Sequence, residues 1–199
     1  MENQDINPWK QIWTEPRKTM RSILSTDPKK TIIWLAIIGG ILGALTYVLS
    51  LHLSQPPRID HLYDLRVVGI LIAGGIAGLI HLYFGGWLYR LTGSWIGGKG
   101  SFTDVKSAVG WSNYPYILGS LFALLGLLSI PHLWLQSLFG LFNFVILIWG
   151  LIIFLQLLSE AHQFSIWKGI LTVLIASALI FVVMILIALL ISLTAPLFQ

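Results

Sequence analysis

Five long stretches of this 199-residue chain carry no Asp, Glu, Lys or Arg, although the sequence holds twelve Lys or Arg and eight Asp or Glu. Residues 31–51 are 21 uncharged positions, and at about 1.5 Å of rise per residue they match a hydrocarbon core of ~30 Å. Residues 67–89 do the same. Residues 107–159 hold no charge at all, a run of 53. One crossing takes about 20 residues, so this run must fold back. Pro131, within Ser129-Ile130-Pro131-His132, removes an amide donor and disfavours helix at the residue before it, which places the hairpin there. Spans over 113–130 and 133–158 flank it, and residues 169–195 make a fifth, with Pro196 at its exit. A mean hydropathy of +0.84 with only 10% charged residues is far from the balance of a soluble domain. The expected fold is all-α, a polytopic integral membrane protein of five transmembrane helices: residues 1–30 form a basic amphipathic segment, and 31–199 form the five-helix domain.

Counting Lys and Arg gives the orientation. Lys10, Arg17, Lys18, Arg21, Lys29 and Lys30 precede the first span; Arg90, Lys99 and Lys106 follow the second; Lys168 follows the fourth. Only Arg58 and Arg66 fall on the other side. The excess belongs in the cytoplasm, which puts the N-terminus inside and, with an odd number of spans, the C-terminus outside. No cleavable signal form precedes residue 31, so the first span reads as a permanent anchor. The absence of cysteine excludes disulfides, thiolate metal sites and a cysteine nucleophile. No soluble stretch is long enough to carry a nucleic-acid surface.

The N-terminal segment is patterned. Trp9, Ile12, Trp13, Pro16, Met20, Ile23 and Leu24 draw one stripe along a helical face, while Lys10, Arg17, Lys18 and Arg21 mostly face away. Asn7-Pro8 and Asp27-Pro28 each have the form of an N-cap followed by proline at the first helical position. The pattern predicts a helix from Pro8, kinked at Pro16 and lying in the membrane interface, with a new start at Pro28. It serves either as an anchor that sets topology or as a docking surface for anionic lipid or a partner protein. The loop after span two contains Gly97, Gly98, Lys99 and Gly100. Gly93 to Lys99 fits seven positions of a phosphate-binding loop, but Gly100 stands where a Ser or Thr should hold magnesium, and no strand precedes it. A plainer reading is a Ser101–Asp104 capping box opening a short amphipathic helix with Phe102, Val105 and Val109, ahead of Trp111.

Taken together, Asn7-Pro8-Trp9-Lys10, Trp13, Pro16-Arg17, Ile23-Leu24, Asp27-Pro28, the five spans and the Gly97-Gly98-Lys99-Gly100-Ser101-Phe102 loop leading to Trp111-Ser112 and Pro115 resemble the prokaryotic branch of the Ypt-interacting-protein (Yip) domain family. The resemblance implies a small five-span protein with a cytoplasmic N-terminus, here in the plasma membrane of a prokaryote. Eukaryotic members bind Rab-type GTPases and one another. The Asp-Leu-Tyr-Gly-Pro tract of that branch is missing from this chain, where only Asp60-His61-Leu62-Tyr63-Asp64-Leu65 lies nearby, so Rab binding is not carried over.

Within the spans, Gly39 with Gly43 and Gly74 with Gly78 form Gly-x-x-x-Gly pairs that bring spans one and two together, or alternatively serve a homo-oligomer. His81 is the one ionisable side chain deep in a span, with Ser120, Asn143 and Ser177 near its depth. It is either a neutral imidazole bonded to one of them or part of a proton or substrate path. No span holds a carboxylate and there is no His-Glu-x-x-His helix. Gly110-Trp111-Ser112-Asn113 lacks the glycine of an intramembrane serine protease site, and Ser112 stands at the cytoplasmic edge, away from His81. His52, Asp60, His61 and Asp64 are read as loop residues rather than metal ligands. These features point to a non-enzymatic membrane protein without cofactor that binds or organises membrane proteins and anionic lipid at its cytoplasmic face. The alternative is a small transporter, channel or lipid-translocating protein using His81.

Overall fold

The computed structural model describes residues 7–26, 29–54 and 61–194. Those residues form seven helices: α1 (Pro8–Gln11), α2 (Pro16–Thr26), α3 (Lys29–Ser54), α4 (His61–Trp95), α5 (Phe102–Leu128), α6 (Leu133–Ala161) and α7 (Ile166–Thr194). Four contain segments long and apolar enough to cross a membrane: Lys30–Ser54, Leu65–Trp95, Leu133–Ala161 and Ile166–Ser192. The fifth long helix, α5, is not one of these four and packs against α3, α4 and α6.

The N-terminal stripe folds differently from its expectation. Asn7 caps α1 by accepting from the Trp9 amide at 3.1 Å, and Pro8 takes the first helical position. At Pro16 the helix does not kink but breaks: α1 ends at Gln11, a turn follows, and α2 starts afresh at Pro16, whose fixed φ suits a first turn. The stripe then turns inward. Ile12, Met20 and Ile23 are buried against α5 and α6, in one core with Ile32, Leu35, Val105, Val109, Ile153 and Leu157. A stripe that finds apolar side chains of its own bundle leaves little to insert into a bilayer. The second N-cap expected, at Asp27 and Pro28, lies outside the described residues.

The short helix and third span expected on either side of residue 112 are one continuous helix, α5, running through Pro115. Pro115 forgoes one backbone hydrogen bond there and its ring lies against α6, where a Cβ on Gly150 would meet Pro115 Cβ at 3.1 Å. The Ser101 capping box is complete: the Asp104 amide donates to Ser101 Oγ at 3.2 Å and the Ser101 amide to Asp104 Oδ2 at 2.9 Å. The α5–α6 hairpin turns over Ser129–His132, where the His132 amide reaches the Ser129 carbonyl at 2.8 Å.

Helices α3 and α4 do pack through small residues, but in a different register. A Cβ on Gly40 would run into the Gly74 carbonyl, and one on Gly78 into the Ala36 carbonyl. The seam is therefore Ala36, Gly40 and Ala44 against Gly74 and Gly78. Gly39 and Gly43 lie one position round the helix, where they face α5 instead. Glycines at 39, 40 and 43 let one helix serve two close neighbours.

Candidate functional site

The core lies at the end of the bundle formed by the N-terminal segment, the start of α5 and the end of α6. There the α4–α5 loop closes over the α6–α7 corner. Each helix ends in the same type of turn. Gly97, with φ of +88°, closes α4 as the Gly98 amide bonds the Gly93 carbonyl at 2.9 Å and the Gly97 amide bonds that of Ser94 at 3.1 Å. Gln163, with φ of 58°, closes α6 as the Phe164 amide bonds the Ser159 carbonyl at 3.0 Å and the Gln163 amide bonds that of Glu160 at 3.1 Å.

Between these turns sits His162, fully buried. Its Nε2 lies 3.1 Å from the Tyr89 carbonyl, its ring stacks on Phe164 at 5.0 Å, and its own carbonyl accepts from the Lys99 amide at 3.0 Å. Side chains at Gly93 or Gly98 would run into the imidazole, so these two glycines pack directly on it rather than forming an open phosphate cradle. A carbonyl can only accept, so Nε2 carries the proton and Nδ1 is left bare, with no partner among the described residues. Burial pushes the His162 pKa below its ordinary value; the Tyr89 carbonyl opposes this, Arg90 adds to the lowering, and Asp104 opposes it. Sequence reasoning passed over His162. The clue available was a histidine in a four-residue corner opposite a loop with more glycine than its turn needs.

The rest of the expected docking surface divides. Lys10, Lys18, Arg21, Lys30, Arg90, Lys99 and Lys168 are exposed on this end, and Arg17 is half-exposed. Arg21 Nε pairs with Glu160 at 2.7 Å, Lys18 with Glu15 at 3.1 Å, and Lys168 Nζ donates to the Ile96 carbonyl at 3.0 Å. Lys106 lies over the rings of Tyr83 and Phe102, at 4.8 and 5.2 Å. Trp9 is 41% exposed and packs on Trp111 and Tyr114 at 4.9 and 5.1 Å. Trp13 meets Tyr114 at 5.7 Å, and its carbonyl accepts from Trp149 Nε1 at 3.1 Å. Trp and Tyr gathered at one level are what a membrane–water boundary favours.

The intramembrane polar set does not come together. Asn143 donates to the Gly119 carbonyl at 3.0 Å, Ser120 is buried, and Ser177 is exposed on α7. His81 bonds to none of them, nor to any other described residue; it opens instead into a cavity of about 850 Å³ between α3, α4, α5, α6 and α7. Of the outer residues considered for a metal, Asp60 and the side chains of His61 and Asp64 lie outside what is described.

The Yip1 domain model matches residues 10–188, nearly the whole chain. The chain belongs to the Yip1 domain family. No curated protein and no solved structure matches it. Within this Yip1 domain, the match takes in both the glycine loop around His162 and the helices that enclose the cavity. Family membership and the four apolar helices together make it a multi-pass membrane protein.

Proposed function

We propose that the protein is a non-enzymatic five-span member of the prokaryotic branch of its family, set in the plasma membrane with its N-terminus in the cytoplasm and its C-terminus outside. Its role is to bind and organise membrane proteins and anionic lipid at the cytoplasmic face. The fifth crossing is α5, 27 residues long and turned directly into α6.

One observation carries the reading: the apolar stripe of the N-terminal segment is used up inside the bundle, while its basic side chains and those of the loops stay outside. Lys10, Lys30, Arg90 and Lys99 make no ion pair among the described residues. Cations left unpaired beside an aromatic belt attract anionic headgroups, at about 1 kcal/mol for each Lys or Arg near the surface. Because the apolar stripe is no longer available, recognition rests on charge and on the exposed edge of Trp9 rather than on insertion of a helix.

The test is photocrosslinking in growing cells from positions 18 and 99. The expected adducts are anionic phospholipid and neighbouring membrane proteins, both reduced when Arg17 and Arg90 are changed to Glu. Adducts that follow bulk lipid abundance, include no protein and ignore the charge reversal would refute it.

A further inference from the structure

The cavity beside His81 has a shape and chemistry of its own. Its walls include Gly39, Gly43 and Tyr47 of α3, a face of α4 from Ile70 to Tyr89, Ser112, Asn113 and Tyr116 of α5, and part of α6. From His81 to Ile70 is eleven residues along α4, or about 16 Å of helix rise. No Asp, Glu, Lys or Arg lines any part of it.

Polar atoms lie along the α5 wall, Ser112 and Asn113 towards His81 and the Tyr116 hydroxyl further along, 3.1 Å from where a Cβ on Gly43 would be. Asn113 gives its amide hydrogens to the Val109 and Gly110 carbonyls of its own helix, at 3.0 and 3.2 Å, which leaves Oδ1 free to accept. That oxygen faces Gly39, where a Cβ would lie 3.2 Å from it. His81 lies about one turn from it along α5, beside Val109: its Cε1 and Val109 Cγ1 would each be 3.8 Å from a Cβ on Gly85. Among the described residues neither the His81 ring nor the Tyr116 hydroxyl has a hydrogen-bond partner. Trp111 and Tyr114, in the aromatic cluster, immediately flank Ser112 and Asn113 in sequence. His81 lies eight residues, or about 12 Å of helix rise, in from Tyr89, so these polar groups sit within the bilayer on the N-terminal segment's side, and the wall past Gly74 and Ala73 leads on to Ile70.

We infer that this cavity is a binding site for a neutral single-chain amphiphile. Its head, a hydroxyl or an N–H amide, meets His81, Asn113 and Ser112, and its chain runs along the glycine-lined wall. Charge selects the head: with no cation in the lining, an anionic headgroup would be desolvated without compensation, whereas a neutral group able to donate and accept satisfies the free polar atoms. Length limits the chain to the roughly 16 Å of wall between His81 and Ile70. Pockets of a few hundred to about 1,000 Å³ with apolar walls and few polar groups are the usual form of small-molecule sites.

The experiment uses the full chain in lipid nanodiscs with a long-chain alcohol carrying a diazirine as probe, followed by peptide mapping of the adducts. Labelling is expected on the cavity wall of α3, α4 and α5. Ala77→Phe, which fills the cavity, should lower it about tenfold, and His81→Leu should lower it severalfold. Ile76→Phe, on the same helix but outside the lining, should leave it unchanged. The same chain ending in phosphate should fail to compete. Elution profile and thermal midpoint of each variant confirm that the fold is kept. Labelling spread over the exposed outer half of α7 and indifferent to Ala77→Phe means annular lipid only, and overturns the site. Full competition by the phosphate overturns the neutral head.

Discussion

Gly74→Ala tests the α3–α4 seam directly. A Cβ at Gly74 would lie 2.5 Å from Ala44 Cβ and 2.6 Å from the Gly40 carbonyl oxygen. Carbon–oxygen contacts settle at about 3.3–3.6 Å, so the two helices must move apart by about 1 Å. The obstacles are an alanine Cβ and a backbone carbonyl, and no rotamer change relieves them. A gap of that size loses a quarter to a half of the dispersion energy at each contact along the seam. Overpacking of this kind costs about 1–3 kcal/mol, offset by up to about 1 kcal/mol from replacing glycine within a helix. The net expectation is a loss of about 1–2 kcal/mol. Gly69 and Gly140 supply the control, since a Cβ at either meets nothing within 4 Å. Gly69→Ala and Gly140→Ala should be neutral or slightly stabilising. Gly39→Ala should fall between, because its nearest neighbour, Asn113 Oδ1 at 3.2 Å, belongs to a side chain that can adjust. Reversible unfolding in mixed micelles measures all four. If Gly74→Ala proves as stable as Gly69→Ala, the close approach at Gly40 and Gly74 is wrong.

Three further outcomes follow from the cytoplasmic corner and the N-terminal segment. Because burial lowers the folded-state pKa of His162, the unfolded chain takes up the proton first, so His162 contributes fully above about pH 6.5 and its contribution is lost as pH falls from there towards the lowered value; pH-dependent unfolding should show this slope, and His162→Phe should flatten it. Gln163→Gly removes a left-handed non-glycine residue and should raise stability by up to about 1 kcal/mol, read as a higher thermal midpoint. Ile23→Asp places an unpaired charge in the core and should free α2 while the spans remain, so trypsin should cut at Arg17, Lys18 and Arg21 about tenfold faster. An unchanged cleavage rate would mean that α2 is not held by its buried face.

Charge and punctuation made much of the fold legible. The Ser101 and Asn7 caps, the hairpin at Pro131 and the apolar lengths of four helices are local signals, and each rests on chemistry within a few residues. Four things were not local. Periodicity shows that Ile12, Met20 and Ile23 share a face, but not whether a bilayer or α6 receives it. Gly39 and Gly40 are adjacent, so small-residue spacing alone does not say which of them meets α4. Depth counting put Ser120, Asn143 and Ser177 beside His81, yet helix rotation sends Asn143 to the Gly119 carbonyl and Ser177 outward, and brings Ser112 and Asn113 to the cavity instead. His162 escaped notice because its meaning comes from Gly93 and Gly98, far away in sequence.

The account stands on five crossings with the basic end in the cytoplasm, and single-cysteine labelling in intact cells measures this most directly. The natural chain has no cysteine, so each introduced thiol is the only one. Cysteines at Lys99 and Gln163 should react with a membrane-impermeant maleimide only after the cells are opened, and one at His132, in the α5–α6 turn, should react in intact cells. Protection of His132→Cys together with Lys99→Cys in intact cells would place both ends of α5 on the same side, and the fifth crossing would be lost.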